Sequence, residues 1–337
     1  MDASKPLHIV RLDGIHTPDP IFSPSFTHTY VSYPSVPFAT PTVIQHLTSP
    51  KPANIAVTTR IPITEETLKA CPELRLIAVL AIGTDMIDLA ACKKYGVTVC
   101  NVPAASNESV AEHAIALFFA ARRKVVRLHG LTVGGEEWGK TGSLKAEFGE
   151  CPGTCKEEVV GIFGGGELGN RVATICRALG SKVQFAERKN SSTVREGRIS
   201  FTECLMTSTT IFLTLPLSPE SLNLISTPEF ALMREDSLLI NVARGGIVDE
   251  TALVEALKDK KIHAAATDVY IEEPAGMDNV LVKTANQWRK EGNELDGRLI
   301  LSPHIAWWAK SSIEKLRRTV GENIEEWARG EPKNLVL

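Results

Sequence analysis

Short apolar runs alternate with amphipathic stretches along most of the chain. The runs have the length and β-branched content of buried strands, and the stretches between them carry apolar residues at helical spacing. The predicted strands are HIVRLD (8–13), NIAVTT (54–59), LIAVLAI (76–82), VTVCNV (97–102), VVGIF (159–163), IFLTLPL (211–217), SLLINVA (237–243), HAAATDVY (263–270) and RLILSPHIA (298–306). Such alternation indicates parallel sheets that are covered by helices on both faces.

Capping residues mark several of the predicted helices. Thr64 opens TEETLKAC (64–71), Gly96 ends DMIDLAACKKYG (85–96), and Ser109 with Glu112 predicts a capping box for the long helix that follows. The Pro- and Ser-rich segment 17–42 predicts no particular element.

The length of 337 residues predicts two domains. We expect an α/β protein with two doubly wound parallel-sheet domains. A Rossmann dinucleotide-binding domain is predicted over residues 107–305. A flavodoxin-like substrate domain is predicted from residues 1–106 plus 306–337, because the last amphipathic stretch (311–330) lies beyond the central strands.

The composition excludes several classes of partner. Lys plus Arg number 37 against 40 Asp plus Glu, so no basic excess attracts nucleic acid or a membrane surface. The N-terminal residues show neither a signal peptide nor a transit pattern, and seven scattered cysteines suit a reducing compartment, which predicts a cytoplasmic protein. Cys151 and Cys155 are the closest pair, but no second Cys or His cluster flanks them, and we predict no metal site.

A glycine motif points to a nucleotide. Gly164, Gly166 and Gly169 form G-x-G-x-x-G between an apolar strand and a helix, and Glu187 ends the next apolar run. The glycines permit a tight turn close to a pyrophosphate at a helix N-terminus. The Glu187 carboxylate can accept ribose hydroxyls, which favours NAD, whereas the adjacent Arg188 can accommodate a 2′-phosphate, so NADP stays possible.

Three polar residues that follow predicted strands are candidates for the chemistry. Arg244 can hold a carboxylate with its planar fork, and His304 can exchange a proton with a carbonyl oxygen. Glu273 can fix the imidazole tautomer. Taken singly, each has an ordinary structural interpretation. Their joint place after strands, where open α/β sheets bind ligands, favours an active site.

These motifs resemble the D-isomer-specific 2-hydroxyacid dehydrogenase family, in particular its glycerate dehydrogenase and hydroxypyruvate/glyoxylate reductase branch. The resemblance is carried by IGTDMIDL (82–89), NVPAASNESVAEHAIAL (101–117), GIFGGGELG (161–169), TLPLSPES (214–221), NVARGGIVDETALVEAL (241–257), DVYIEEP (268–274) and PHIAW (303–307). It implies an NAD(P)-dependent oxidoreductase that acts on a small 2-keto acid, and a homodimer joined through the nucleotide-binding domain.

The resemblance also implies roles for individual residues. Arg244, Glu273 and His304 would be catalytic, and Ala81, Ile82 and Gly83 would bind the substrate carboxylate together with Arg244 and His304. The residues that would bind or border the cofactor are Gly164, Gly166, Glu167, Leu168, Gly169, Glu187, Arg188, Thr214, Leu215, Pro216, Val242, Ala243, Arg244, Asp268 and His304.

Other interpretations stay open at this point. A corepressor-like regulator can retain the same fold and residues, and the same chemistry can serve phosphite or a bulkier 2-keto acid. Glu273 stands where formate-type relatives carry Gln, which argues against formate. The long polar segment 276–298, with Trp288, can reshape the entrance to the site, and Trp307 and Trp308 are expected to be core anchors rather than a cap on the pocket.

Overall fold

The computed structural model describes residues 6–337, and the chain divides into two compact units. The N-terminal unit comprises the chain up to Ser106 together with Trp308–Leu337, and the central unit is Asn107–Trp307. The first division falls where the sequence placed a domain boundary, and the second lies two residues later.

The N-terminal unit is built on a five-stranded parallel sheet. Its strands are β1 (Leu7–Arg11), β2 (His28–Ser32), β3 (Ile55–Thr58), β4 (Leu76–Val79) and β5 (Thr98–Cys100), in the order β2-β1-β3-β4-β5. This is the flavodoxin-like strand order. Its helices are α1 (Thr40–Thr48), α2 (Glu65–Ala70), α3 (Leu89–Tyr95) and α12 (Lys310–Ala328).

The central unit is built on a seven-stranded parallel sheet. Its strands are β6 (Val159–Phe163), β7 (Lys182–Ala186), β8 (Arg198–Ile199), β9 (Thr210–Leu213), β10 (Leu238–Asn241), β11 (Ala264–Thr267) and β12 (Leu299–Leu301), in the order β12-β11-β10-β9-β6-β7-β8. The strand order reverses between β6 and β9, as in a Rossmann fold, and ligands bind at such a switch point. The predicted fold class is therefore confirmed.

Helices cover both faces of this second sheet. They are α4 (Asn107–Arg122), α5 (Val125–Gly134), α6 (Glu137–Thr141), α7 (Glu167–Ala178), α8 (Phe201–Thr207), α9 (Thr227–Phe230), α10 (Glu250–Lys258) and α11 (Val280–Glu291). Two clusters of buried apolar side chains lie on opposite faces of the sheet. One includes Phe212, Val172 and Ala114, and the other includes Leu213, Phe230 and Leu257. Because the strands are parallel, their carboxyl ends all lie at one edge of the sheet, and the candidate residues lie in the loops that follow them.

Local signals explain most of the element ends, but not all of them. Thr64 caps α2 through its side chain, and Gly96 ends α3 in the left-handed region, as predicted. The capping box at Ser109 was wrong, because α4 begins at Asn107 and Ser109 lies buried in its first turn. Segment 17–42 contains β2 and the start of α1, which the sequence did not predict.

The structure shows which of Trp288, Trp307 and Trp308 are buried and which are exposed. Trp288 lies on α11, is only 4% exposed and packs among the apolar residues beneath β12, so it does not line an entrance. Trp308 is 54% exposed, so the expectation of a core anchor was wrong for this residue. Trp307 is partly buried and donates its indole N–H to the carbonyl oxygen of His304 (2.8 Å).

Across residues 6–337, no helix is both long and apolar enough to cross a membrane. All seven cysteines are free thiols, and five of them are buried. Within the same described residues, no three His, Cys, Asp or Glu side chains gather as metal ligands would.

His263, which directly precedes β11, is expected to make the fold less stable in acid. Burial, with Lys124 and Arg298 adding positive charge, lowers its pKa from 6.5 to about 4. Above pH 6.5 the folded and unfolded states both hold a neutral imidazole, whereas between 6.5 and 4 the unfolded chain alone takes up the proton. We therefore expect about 2 kcal/mol of stability to be lost as the pH falls through that window.

The measurement is denaturant unfolding between pH 7 and pH 4 for the wild type and for His263→Gln. The variant should lose less stability on acidification than the wild type. His129→Gln, at an exposed histidine of α5, is the matched control and should retain the full pH slope. Equal slopes in all three proteins would contradict the assignment to His263.

Candidate active site

The glycine turn joins β6 to α7 at the switch point of the central sheet. Gly164 has φ +121°, and a Cβ on it would collide with the backbone of Thr214. A Cβ on Gly169 would collide with the Gly164 carbonyl, so only glycine lets the helix approach the strand this closely. Thr214 closes the turn by donating its hydroxyl to Gly164 O (3.0 Å).

The turn fits the diphosphate of a dinucleotide. Gly166 is exposed, nothing lies within 4 Å of where its Cβ would be, and no side chain caps the first turn of α7. Backbone N–H groups at a helix N-terminus are thereby open to an anion. Glu167 is the first residue of α7, and the Asn107 side-chain amide donates to it (2.7 Å), while Leu168 is partly buried behind it.

The loops after β9 and β10 line the same edge. Leu215 and Pro216 follow β9, and the Ser221 hydroxyl holds the Pro216 carbonyl (2.8 Å). Val242 and Ala243 follow β10 and are buried. The structure therefore places the predicted cofactor-bordering residues around one strand edge.

Glu187 directly follows β7, as predicted, but its carboxylate is not open to a ribose. The Arg195 side chain donates to the Glu187 carboxylate from Nε (2.8 Å) and from Nη2 (2.5 Å). The backbone N–H groups of Arg188 and Arg195 also donate to this carboxylate. The Arg195 hydrogen bond, helped by that of Arg188, holds the pKa of Glu187 far below its usual range. Arg195 is a residue that the sequence analysis missed.

Arg244 lies in the loop that follows β10. The Asn241 side chain shapes this loop, because its amide donates to Arg244 O (3.0 Å) and its oxygen accepts from Ala243 N (3.1 Å). A Cβ on Gly245 would coincide with the carbonyl of Tyr270, so this loop packs directly on the one that bears Glu273. The Arg244 guanidinium is partly buried, donates to Ala243 O (2.7 Å) and contributes to lowering the pKa of Glu273.

His304 and Glu273 form a hydrogen-bonded pair. His304 Nδ1 lies 2.5 Å from Glu273 Oε2, and the other oxygen of Glu273 accepts from Tyr270 N (2.9 Å). Burial alone raises the pKa of Glu273, but the hydrogen bond and charge of His304 outweigh it, and the net pKa is lowered. A carboxylate on Nδ1 leaves Nε2 as the ring atom that can exchange a proton with a ligand.

Asp268 holds the backbone on which His304 is mounted. His304 has φ +51°, a left-handed conformation that is uncommon for a non-glycine residue. The buried Asp268 carboxylate accepts from Ile305 N (3.0 Å), Ala306 N (2.9 Å) and the Ser302 hydroxyl (2.5 Å). With these donors its oxygens are committed to the turn, which fixes the direction of the imidazole.

A second histidine supports this turn. His113 Nε2 lies 2.9 Å from the Ser302 hydroxyl, and Tyr270 Oη donates to Ser302 O (3.0 Å). Because the hydroxyl proton goes to Asp268, Nε2 of His113 must be the donor to Ser302. Sequence reasoning missed His113 and Ser302, although His113 lies in a motif that carries the family resemblance and Ser302 directly precedes another.

Ala81, Ile82 and Gly83 lie in the N-terminal unit, in the loop after β4. The carbonyl of Ala81 accepts from Val102 N (3.0 Å), and the carbonyl of Ile82 accepts from the Asn101 amide (2.6 Å). These bonds fix the loop at the carboxyl end of its sheet, where backbone N–H groups can meet an anion.

A glycine turn of the dinucleotide-binding type, an arginine and a histidine–glutamate pair all follow the carboxyl ends of the central strands, and together they define a nicotinamide-dependent dehydrogenase. Residues 115–306, more than half of the chain, match the family model described as D-isomer specific 2-hydroxyacid dehydrogenase, NAD binding domain. The chain belongs to the D-isomer-specific 2-hydroxyacid dehydrogenase family, and it is an oxidoreductase that uses a nicotinamide dinucleotide.

Relatives of this family match the chain over most of their own length. The chain is 34% identical to the glycerate dehydrogenase of Methylorubrum extorquens, over 93% of each chain. It is 33% identical to the glyoxylate reductase of Aeropyrum pernix, over 80% of this chain and 78% of that one. A solved structure of D-lactate dehydrogenase from Aquifex aeolicus, complexed with NAD and lactic acid, matches 91% of this chain and 92% of its own at 27% identity and a TM-score of 0.74.

Proposed function

We propose that this chain reduces a small 2-keto acid of the hydroxypyruvate or glyoxylate type to the corresponding D-2-hydroxy acid. The observation that carries the proposal is the hydrogen-bonded His304–Glu273 pair on the same strand edge as Arg244. The names of the two relatives, glycerate dehydrogenase and glyoxylate reductase, support this substrate class. The residue roles below are part of the proposal.

A bound nicotinamide cofactor supplies the hydride that the keto carbon receives. Arg244 binds the substrate carboxylate with two parallel N–H donors and polarises the adjacent carbonyl. His304 donates the proton on Nε2 to the carbonyl oxygen, and it recovers that proton in the reverse direction. Glu273 holds Nδ1–H and stabilises the imidazolium before transfer.

The two units have different roles in this proposal. The central unit holds the cofactor at Gly164–Gly169. In the N-terminal unit, the loop of Ala81, Ile82 and Gly83 offers backbone N–H groups that suit a carboxylate. What supports the second role is the position of the loop after β4, with the carbonyls of Ala81 and Ile82 already hydrogen-bonded.

The test is a panel of 2-keto acids supplied with reduced cofactor, followed by the loss of its near-ultraviolet absorbance. Hydroxypyruvate and glyoxylate should give the highest kcat/KM, and pyruvate and bulkier 2-keto acids should give lower values. Chiral analysis of the product should show the D-isomer. Tight cofactor binding with no turnover on any keto acid would instead indicate a corepressor-like regulator. Turnover on phosphite alone would indicate that the substrate is not a keto acid.

We also propose that the protein is a homodimer that forms through the central unit. The observation in support is an exposed apolar surface on α5 and α6, formed by Val125, Val126, Val133 and Trp138, each at least 53% exposed. Sedimentation should give a dimer for the wild type and a monomer for Val133→Asp/Trp138→Ser. A monomeric wild type would contradict the proposal.

A cytoplasmic location completes the proposal. It is supported by the seven free cysteines, since free thiols persist in reducing compartments. Cell fractionation that recovers the protein from an oxidising compartment would contradict it.

A further inference from the structure

The residues after β7 carry more positive charge than the sequence motif suggests. Glu187 is only 4% exposed, and Arg195 covers its carboxylate with a two-point ion pair (2.5 and 2.8 Å) while two backbone N–H groups fill the remaining positions. The charge of the carboxylate is therefore compensated within the protein. For Glu187 to accept ribose hydroxyls, it would have to exchange these charge-assisted bonds for weaker neutral ones.

A second arginine lies over the glycine turn itself. Arg198 donates from Nη1 to the carbonyl of Ala186 (2.8 Å), the last residue of β7. A Cβ built on Gly165 would collide with its Nη2, so the guanidinium stands directly beside the cofactor turn. Arg198 thus joins the end of β7 to the turn, which is the path an adenosine ribose follows in this fold.

The remaining charges of this segment leave a positive balance. Arg188 is exposed, and its charge contributes to lowering the pKa of the exposed Glu220. Lys189 is bound to Glu229 (2.8 Å). Residues 187–198 carry four basic side chains, Lys189 and the three arginines, against the two carboxylates of Glu187 and Glu196, and that of Glu187 is fully engaged.

We propose that Arg195 and Arg198 form a subsite for a phosphate on the 2′ position of the adenosine ribose, so that the chain binds NADP(H) in preference to NAD(H). This inference rests on the proposed function only in taking a nicotinamide dinucleotide as the ligand. It reverses the preference that Glu187 predicts from the sequence, because Arg195 both removes the repulsion of that carboxylate and keeps a half-exposed guanidinium at the ribose. The planar guanidinium fork matches the geometry of a phosphate and can bind it at two points.

The subsite can be tested without turnover, by calorimetric titration with two fragments that differ by one group. Adenosine 2′,5′-bisphosphate carries the 2′-phosphate, and adenosine 5′-monophosphate lacks it. We expect the bisphosphate to bind about 10- to 100-fold more tightly, the range of one or two charge-assisted contacts. Higher salt should reduce that preference. Equal affinities for the two fragments would overturn the proposal.

Variants assign the effect to the residues. Arg195→Gln and Arg198→Gln should each lower the affinity for the bisphosphate by about tenfold or more. The affinity for the monophosphate should stay unchanged in Arg198→Gln and should not fall in Arg195→Gln, where the freed Glu187 carboxylate can accept the ribose hydroxyls. In Glu187→Gln/Arg195→Gln the repulsive carboxylate is also gone, so part of the bisphosphate affinity should return relative to Arg195→Gln. Arg234→Gln, which removes an exposed arginine paired with Asp236 before β10, is the control and should change neither affinity.

The outcomes separate this subsite from the proposed reaction. A preference for the bisphosphate that Arg195→Gln and Arg198→Gln abolish supports the subsite, even if no keto acid is reduced. Unchanged discrimination in both variants, with thermal unfolding showing that they are folded, overturns it even if keto acids are reduced. Kd values for NADPH and NADH, measured by quenching of tryptophan fluorescence, should follow the same order.

Discussion

Arg244→Ala should lower kcat/KM for the keto acid by about a thousandfold or more while the Kd of the reduced cofactor changes little. The lost guanidinium removes charge-assisted bonds to the carboxylate, about 1.5–3 kcal/mol. It also removes a donor that polarises the carbonyl in the transition state, which is typically worth about 3 kcal/mol. The glycine turn, to which we assign the cofactor, follows another strand, β6, and retains its own contacts.

Steady-state kinetics and cofactor titration on the same preparation are the measurements. Arg244→Lys is the matched variant, because it keeps the positive charge and loses the planar fork. It should recover only part of the loss, mainly in KM, since a lysine cannot bind a carboxylate at two points. Near-wild-type turnover in Arg244→Ala would remove the arginine from the reaction.

His304→Asn should lower kcat by about 10²- to 10⁴-fold, the contribution of a positioned general acid. Asparagine is chosen because it tolerates the left-handed conformation that His304 adopts (φ +51°), so the turn held by Asp268 is retained. Cofactor binding and thermal unfolding should stay close to those of the wild type. If His304→Asn reduces the keto acid at the wild-type rate across the pH range, another group is the proton donor.

Glu273→Gln is the companion variant to His304→Asn. The lowered pKa of Glu273 keeps its carboxylate ionised at pH values below the usual carboxyl pKa. In the wild type the carboxylate therefore supports the His304 imidazolium at neutral pH, and this support is lost only as the pH falls through the lowered pKa of Glu273. The amide of Gln cannot supply that charge. We therefore expect activity to decline at lower pH on the alkaline side of the profile than in the wild type.

The candidate site was largely predictable because its residues follow strands. Arg244, Glu273 and His304 come after β10, β11 and β12, and parallel strands bring their carboxyl ends to one edge whatever the details of packing. The glycine turn carries its own local requirements, and the Gly164 backbone at φ +121° meets them as the motif demands. Periodicity and motif were enough for both.

The rest depends on contacts that no local pattern records. Strand β2 lies at the edge of its sheet with a mixed burial pattern, and its pairing with β1 decides its conformation. The partner of Glu187 is Arg195, eight positions further along a loop that the sequence left unassigned. Trp288 has a helical spacing that is compatible with either a core or an entrance, and packing beneath β12 decided in favour of the core.

The close packing of Gly245 on Tyr270 bears on how the substrate range of this enzyme can be altered. A single methyl group at position 245 would act as a wedge between the loop of Arg244 and the loop of Glu273. This backbone contact therefore fixes the distance between the loop of Arg244 and the loop of Glu273, to which we assign the binding of the carboxylate and the support of His304. Engineering of this enzyme should keep that spacing fixed and obtain new substrates from residues elsewhere.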